Sequence, residues 1–400
     1  MSARPSHKAA RLAVVISHPI QYYSPWFRHL ADLDRLELKV FYLWDYGVKA
    51  TKDEKFGGEA FKWDIPLLDG YTHEFIENTS PDPGTHHFGG LKNPALLLRL
   101  TDWAPDAVLL FGYKFDSFQK IIHSRQFRTT PLIFRGDSHV LYPERGPKAW
   151  LKRRLLKSNY KRFSRFLTVG AANEGYFASC GVPAEKMIRA PHCVDNERFR
   201  SAQPEAEKAA AAWRDELGIP QDAFVFLFAG KFEDKKRPLD LLAAFQNLPA
   251  GSAYLLFVGG GDHEDELREK AGKNVIFAPF QNQTEMPRTY ATGDILVLPS
   301  FGRGETWGLA VNEAMNLARP AIVSSHVGCG PDLVETGRTG WIFRAGDVQD
   351  LTEALEGAVQ NPERTALMGQ SAQKLVAEYN YDRAAKAVLQ AVEAINAEHD

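Results

Sequence analysis

Twice along this chain, short and continuously apolar runs rich in β-branched and aromatic residues alternate with amphipathic helical stretches. The first series holds Leu12–Ser17, Glu37–Leu43, Ala107–Phe111, Pro131–Arg135 and Phe166–Val169. The second holds Phe224–Ala229, Tyr254–Val258, Val275–Ala278, Ile295–Leu298, Ala321–Ser324 and Gly340–Phe343. Most of these runs lack the apolar–polar alternation of a strand with one wet face. Both faces must therefore be covered, and the intervening helices supply the cover. Parallel strands joined by crossover helices meet that condition. The expected fold is α/β, with two doubly wound domains over residues 1–195 and 196–378 and a last helix in 379–400. Two domains agree with 400 residues at roughly 100–200 per domain. The stretch Asp195–Gln221, Ala/Glu/Lys-rich with Pro204 and Pro220 near its ends, reads as a linker plus a helix. Sheets of this kind bind ligands beyond the carboxyl ends of their strands. Two facing sheets would place the chemistry in loops on both sides of a cleft.

Composition narrows the class. An apolar fraction of 44% and a charged fraction of 24% exclude a disordered, collagen-like or coiled-coil chain. No apolar run approaches the ~18 residues of a membrane-spanning helix. The N-terminal stretch before His18 reads as a first strand and makes a poor signal peptide. Three distant cysteines, Cys180, Cys193 and Cys329, are expected to be reduced thiols in the cytoplasm, with no CxxC metal pair. Charge is divided unevenly: residues 1–200 carry 30 Lys+Arg against 21 Asp+Glu, and residues 201–400 carry 18 against 29. The first half is expected to face something anionic.

The most informative stretch is Leu298–Gly308, LPSFGRGETWG, which runs on into LAVNEAMNLARP. A strand ends, a Gly-rich loop follows, and a helix begins near Gly308. Free N–H groups at that helix start suit a diphosphate. Glu305 in the loop can hold sugar hydroxyls. Glu313, about 7–8 Å along the helix axis from its start, can grip a ribose diol. After Phe224–Ala229, a loop carries Lys231 and Lys236, two cations able to neutralise a diphosphate leaving group without a metal. Lys235 competes with Lys236 for that role.

The stretch around Glu305 and Glu313 resembles the E-x7-E signature of retaining glycosyltransferases of family 4, which have the GT-B fold. The resemblance implies that Glu305 touches the donor sugar and Glu313 binds the ribose of the nucleotide. Thr306, Trp307 and Gly308, followed by Leu309, stand where the family usually has Gly-Phe-Gly, so sugar preference is open. Lys231 replaces the family's usual Arg. The loop Leu132–Val140 carries Asp137 and His139; the resemblance implies that a His or Asp there faces the reacting sugar, and His139 is assigned with Asp137 second. Phe280 and Gln281 stand where relatives hold the base. In the first β→α turn, where many relatives have Gly-Gly, His18, Gln21 and Tyr22 are expected to meet an acceptor. The implied domain roles are acceptor binding for 1–195 and nucleotide-sugar binding for 196–378, with the last helix crossing back.

The implied reaction is metal-independent transfer of a hexose-type sugar, with retention, from a UDP- or GDP-type donor to a glycan or polyprenyl-linked acceptor. Neither a cofactor nor nucleic acid is expected. Other activities of the same fold, a phosphorylase or epimerase, and a catalytically silent sugar-binding partner stand as rivals. Two features are set aside: Asp32-Leu33-Asp34 reads as the solvated face of an amphipathic helix, and Gly259-Gly260-Gly261 as a turn without dinucleotide spacing. Residues 148–165 hold eight basic residues, no acidic one, and Trp150, Leu151, Leu155, Leu156, Tyr160 and Phe163. Such a helix is expected to bind an anionic membrane surface, so the protein is expected in the cytoplasm, peripheral at the inner membrane face.

Overall fold

A computed structural model describes residues 9–48, 51–52, 60–142, 144 and 146–398. The basic residues at the extreme N-terminus lie outside the described residues. The first sheet consists of β1 (Ala10–Ile16), β2 (Leu36–Tyr42), β3 (Thr72–Phe75), β4 (Ala107–Phe111), β5 (Leu132–Arg135), β6 (Arg165–Thr168) and β7 (Met187–Arg189). Its order is β3-β2-β1-β4-β5-β6-β7. The second consists of β8 (Val225–Ala229), β9 (Tyr254–Val258), β10 (Val275–Ala278), β11 (Ile295–Leu298), β12 (Ala321–Ser324) and β13 (Gly340–Phe343), in the order β10-β9-β8-β11-β12-β13. Every pairing within these sheets is parallel; Val14 of β1 lies opposite both Val40 and Leu109. Strand order reverses beside β1 and beside β8, which puts a crevice at each of those points.

Within these two sheets, the strands with no counterpart in the sequence reading are β3 and β7. Both are short edge strands of partly exposed residues, so neither writes a long apolar run. The helix after β1 covers only Ser24–Ala31, and Asp32 is its C-cap. Asp32 and Asp34 are therefore exposed residues of a turn, not of a helix face.

The last helix, Tyr381–Asn396, lies on the first domain. Ala384, Val388, Ala391 and Ile395 join Leu12, Val14, Trp26 and Phe27 in one buried cluster. Burying a side chain such as Val388 or Ile395 contributes about 1.5–3 kcal/mol, enough to hold the helix there. Arg165 of β6 adds an ion pair to Glu398 at 2.6 Å.

The helix Pro147–Tyr160 has two unlike faces. Ala149, Leu156 and Tyr160 are buried against the sheet, whereas Trp150, Leu151 and Leu155 are 59%, 51% and 61% exposed. Not all of the basic residues in this region face outward. Arg162 donates to the Phe127 and Thr130 carbonyls, and Arg165 is buried. Lys148, Arg153, Arg154, Lys157 and Lys161 are exposed. Among the described residues no helix is long and apolar enough to cross a membrane.

Candidate active site

The loops after β8, β9 and β10 meet because of glycine. A Cβ on Gly259 would stand 2.1 Å from the Gly230 carbonyl oxygen, and both residues have positive φ. Bare backbone there lets Gly230 N–H donate to Val258 and Phe232 N–H to Gly260. The loops enclose a cavity of about 400 Å³ lined by Lys231, Lys236, Phe280 and Gln281, with Trp63 entering from the first domain. Four residues singled out in the sequence thus share one cavity.

Glu305 meets Lys236 at its edge. The two side chains form an ion pair while only 12% and 19% exposed, and Ser300 Oγ donates to the same carboxylate oxygen at 2.8 Å. Burial pushes the Glu305 carboxyl upward, but Lys236, Ser300 and Lys235 together outweigh it and hold the group below the usual carboxylate range. Glu305 is an anion at neutral pH. Lys235 itself pairs with Glu233 at 3.1 Å, so Lys236 is the cation that reaches Glu305. The Glu305 loop is held from behind by the loop after β12. Gly328 N–H donates to the Glu305 carbonyl and Cys329 N–H to that of Trp307, at 3.1 and 2.8 Å. A Cβ on Gly328 would stand 1.8 Å from the Thr306 oxygen, so only glycine fits.

Glu313 lies on the helix Leu309–Asn316, for which Gly308 at φ 97° is the N-cap. It lines a second cavity, of about 230 Å³, with Gln21 and Tyr22 of the first domain and Arg198. Gln283 lines both cavities, so they adjoin. Tyr290 donates to Glu313 at 2.6 Å. Burial raises the Glu313 carboxyl, with Tyr290 and Arg198 acting against it. The sequence reading assigned Glu313 to the donor and Gln21 and Tyr22 to the acceptor; the structure brings the three to one cavity.

Two further expected site residues are packed among aromatic rings. The Trp307 indole is only 3% exposed and is packed into the junction between the domains, with His192 and Tyr379 at 5.7 and 6.1 Å between ring centroids. Its Nε1 donates to Asn312 at 2.8 Å. Its side chain acts as a wedge in that joint. His18 faces Trp44 and Tyr46, and burial lowers its pKa to about 4. Leu309 packs on the second domain's core.

The first domain closes over the site through side chains. Thr306 Oγ1 donates to Asp137 Oδ2 at 2.7 Å, Thr284 N–H to Asp64 at 3.2 Å, and Arg303 pairs with Glu144. His139 is buried, and its pKa is lowered by burial against opposing effects of the Glu305 main chain and the Asp137 charge. Leu141 N–H donates to its Nδ1 at 3.2 Å, so the neutral ring carries its proton on Nε2. That Nε2 is buried without a hydrogen-bond partner among the described residues. Ser300, Tyr290, Arg198 and Gln283 were not read from the sequence. Only Ser300, beside the strand end and the Gly-rich loop, carried a local signal.

Two parallel-sheet domains that close a cleft with the carboxyl ends of their strands define the GT-B fold. Residues 210–375 match the family described as glycosyl transferases group 1, which agrees with the resemblance read from Glu305 and Glu313. The sulfoquinovosyl transferase SQD2 of Arabidopsis thaliana is 26% identical over 262 residues, 63% of this chain and 50% of its own length. A D-inositol 3-phosphate glycosyltransferase of Streptomyces avermitilis is 30% identical over 48% of this chain and 44% of its own. The chain spans about half the length of these curated relatives. Among solved structures, Anabaena Alr3699/HepE in complex with UDP and glucose superposes with a TM-score of 0.72 at 18% identity, covering 96% of this chain and all of that one.

Proposed function

We propose that the chain is a retaining glycosyltransferase that moves a hexose-type sugar from a nucleotide diphosphate donor, of the UDP or GDP type, to a glycan or lipid-linked acceptor, without a metal at the diphosphate. The observation that carries this reading is the Lys236–Glu305–Ser300 set at the edge of the Lys231 cavity, beside the start of the Leu309–Asn316 helix. In it, Lys231, Lys236 and the helix N–H groups neutralise charge on the departing diphosphate. The acceptor hydroxyl attacks from the face the leaving group vacates, in an ion-pair-like step, its proton passing to the departing phosphate oxygen, and the loop of His139 and Asp137, the latter held by Thr306, faces the reacting sugar. Phe280 and Gln281 flank the base. UDP in the HepE complex supports the nucleotide class.

Thermal-shift titration with UDP, GDP and ADP tests the donor assignment. One nucleoside diphosphate is expected to raise Tm, and Glu313→Ala is expected to weaken that binding while sparing the fold. A flat response to all three would sink the reading.

The acceptor is proposed to be met at an anionic membrane on the cytoplasmic side. Trp150, Leu151 and Leu155 would enter the interface while Lys148, Arg153, Arg154, Lys157 and Lys161 meet the headgroups, at about 1 kcal/mol each. Wild type should cosediment with anionic liposomes at low salt and leave them at high salt. Replacing Arg153, Arg154 and Lys157 by Glu should release it without changing nucleotide binding. A wild type that ignores such vesicles at low salt points to a soluble acceptor.

A further inference from the structure

Read along the chain, the sequence showed no metal-ligand set. The fold brings one together in the loop after β3. This segment, Ser80 to Gly90, reads SPDPGTHHFGG. Asp82, His86 and His87 each offer a donor atom, all within 4.8 Å of one another. His86 Nε2 is 3.0 Å and His87 Nε2 3.2 Å from the same oxygen, Asp82 Oδ2. Bonds of 2.0–2.2 Å at a tetrahedral centre put neighbouring donors about 3.3 Å apart. The two imidazole–carboxylate distances therefore already stand close to the spacing such an ion imposes, and the two imidazoles lie within 4.8 Å of each other.

Besides the contact of His87 Nε2 with the Asp82 carbonyl at 3.0 Å, groups other than these three side chains also hold the loop in that shape. Asn78 ties its two ends: its Nδ2 donates to the Gly90 carbonyl at 2.8 Å, and its Oδ1 accepts from Ser80 and Lys92 N–H. Gly84 and Gly90 are in direct backbone contact, Gly84 N–H donating to Gly90 at 3.2 Å; a Cβ on Gly90 would stand 2.1 Å from the Gly84 oxygen. A Cβ on Gly84 would meet the His86 ring at 2.6 Å, so this glycine leaves the space in which the imidazole lies. Lys114 Nζ holds the Thr85 and His86 carbonyls from outside, at 3.2 and 3.4 Å. A preorganised loop orders less on binding, which favours affinity.

We propose that Asp82, His86 and His87 form a binding site for a divalent first-row transition metal of the Zn²⁺ class. Two imidazoles and one carboxylate suit Zn²⁺, Co²⁺ or Ni²⁺ and disfavour Mg²⁺ and Ca²⁺, which take oxygen donors. Three protein ligands leave a fourth tetrahedral position for water or another small donor. The site touches a groove: Asn78 and Pro83 of the same loop line an open depression of about 490 Å³ with Trp44 and Phe75. A bound ion would fix that wall of the groove.

Tag-free full-length protein titrated with Co²⁺ gives the direct test. The expected result is one ion per chain, with the intense visible absorption of four-coordinate Co²⁺, displaced by Zn²⁺ and unmoved by millimolar Mg²⁺. The double variant H86A/H87A should abolish the spectrum. Asp82→Asn, which keeps the carboxylate's shape and an acceptor for one ring, should weaken binding at least as much as the roughly 10–100-fold that outer-sphere changes cost. The loop is exposed, so circular dichroism of both variants should match wild type. Absence of a four-coordinate spectrum in wild type, or its persistence in H86A/H87A, would overturn the site. The assay reads metal binding alone, so its result is independent of the glycosyl-transfer reading.

Discussion

Glu305→Gln is expected to lower kcat by about 10²–10³, a loss on the order of 2.7–4 kcal/mol, the scale for one preorganised group beside developing charge. Glutamine has nearly the same shape and still accepts from Ser300, so the loop stays in place while the charge beside Lys236 is lost. Lys236→Ala removes the other member of the pair and is expected to cost a similar factor. Because the two groups touch, the double variant should cost less than the product of the single effects. Circular dichroism and the Tm shift with nucleotide should remain close to wild type for Glu305→Gln. Turnover should also survive EDTA under the proposed mechanism, in which lysines and helix N–H groups neutralise the leaving group. Near wild-type kcat in either single variant would place the sugar elsewhere. Strict dependence on Mg²⁺ or Mn²⁺ would put a metal at the diphosphate instead.

The second large effect is on stability. Trp307→Ala is expected to destabilise the protein by about 3–5 kcal/mol, the range for truncating a buried aromatic residue. It empties the space between His192, Tyr379 and the Gly170 backbone, and it leaves Asn312 Oδ1 without the indole donor. Gly170→Ala attacks the same joint from the other side, since a Cβ there would stand 2.4 Å from the Trp307 ring and 2.6 Å from Asp332. Asp332 is a further tie between the domains: its carboxylate accepts from Ala171 N–H at 2.8 Å and from Arg189 at 3.1 Å. Urea denaturation followed by tryptophan fluorescence measures the loss. Nucleotide affinity of the folded variant, measured below the transition, should change little. A large drop in that affinity with unchanged stability would return the Trp307 side chain to the donor site.

Legibility in the sequence followed the range of the interaction. Runs such as Val225–Ala229 and Ile295–Leu298 are apolar at every position because both faces of a parallel strand are buried, a local pattern that needs no knowledge of neighbours. The same holds for the Gly-rich loop and helix start that carry Glu305 and Glu313, and for Lys231 and Lys236 after β8. Strands β3 and β7 escaped because edge strands of four and three partly exposed residues leave no such pattern.

The sequence by itself determined two parallel-sheet domains and the loops that carry charge at the strand ends, because periodicity and short spacings are local properties of the chain. Only the tertiary structure decided which of those groups meet. Lys236 and Glu305 are 69 residues apart, Thr306 and Asp137 are 169 apart, and Gln21 reaches the Glu313 cavity from the other domain. The same is true of side-chain direction: Trp307 turns into the joint because Gly170 leaves room for its ring. The helix Pro147–Tyr160 divides its apolar residues between core and surface because only one side of it faces the sheet. Such contacts depend on how two sheets pack against each other, and no residue spacing along the chain encodes that packing.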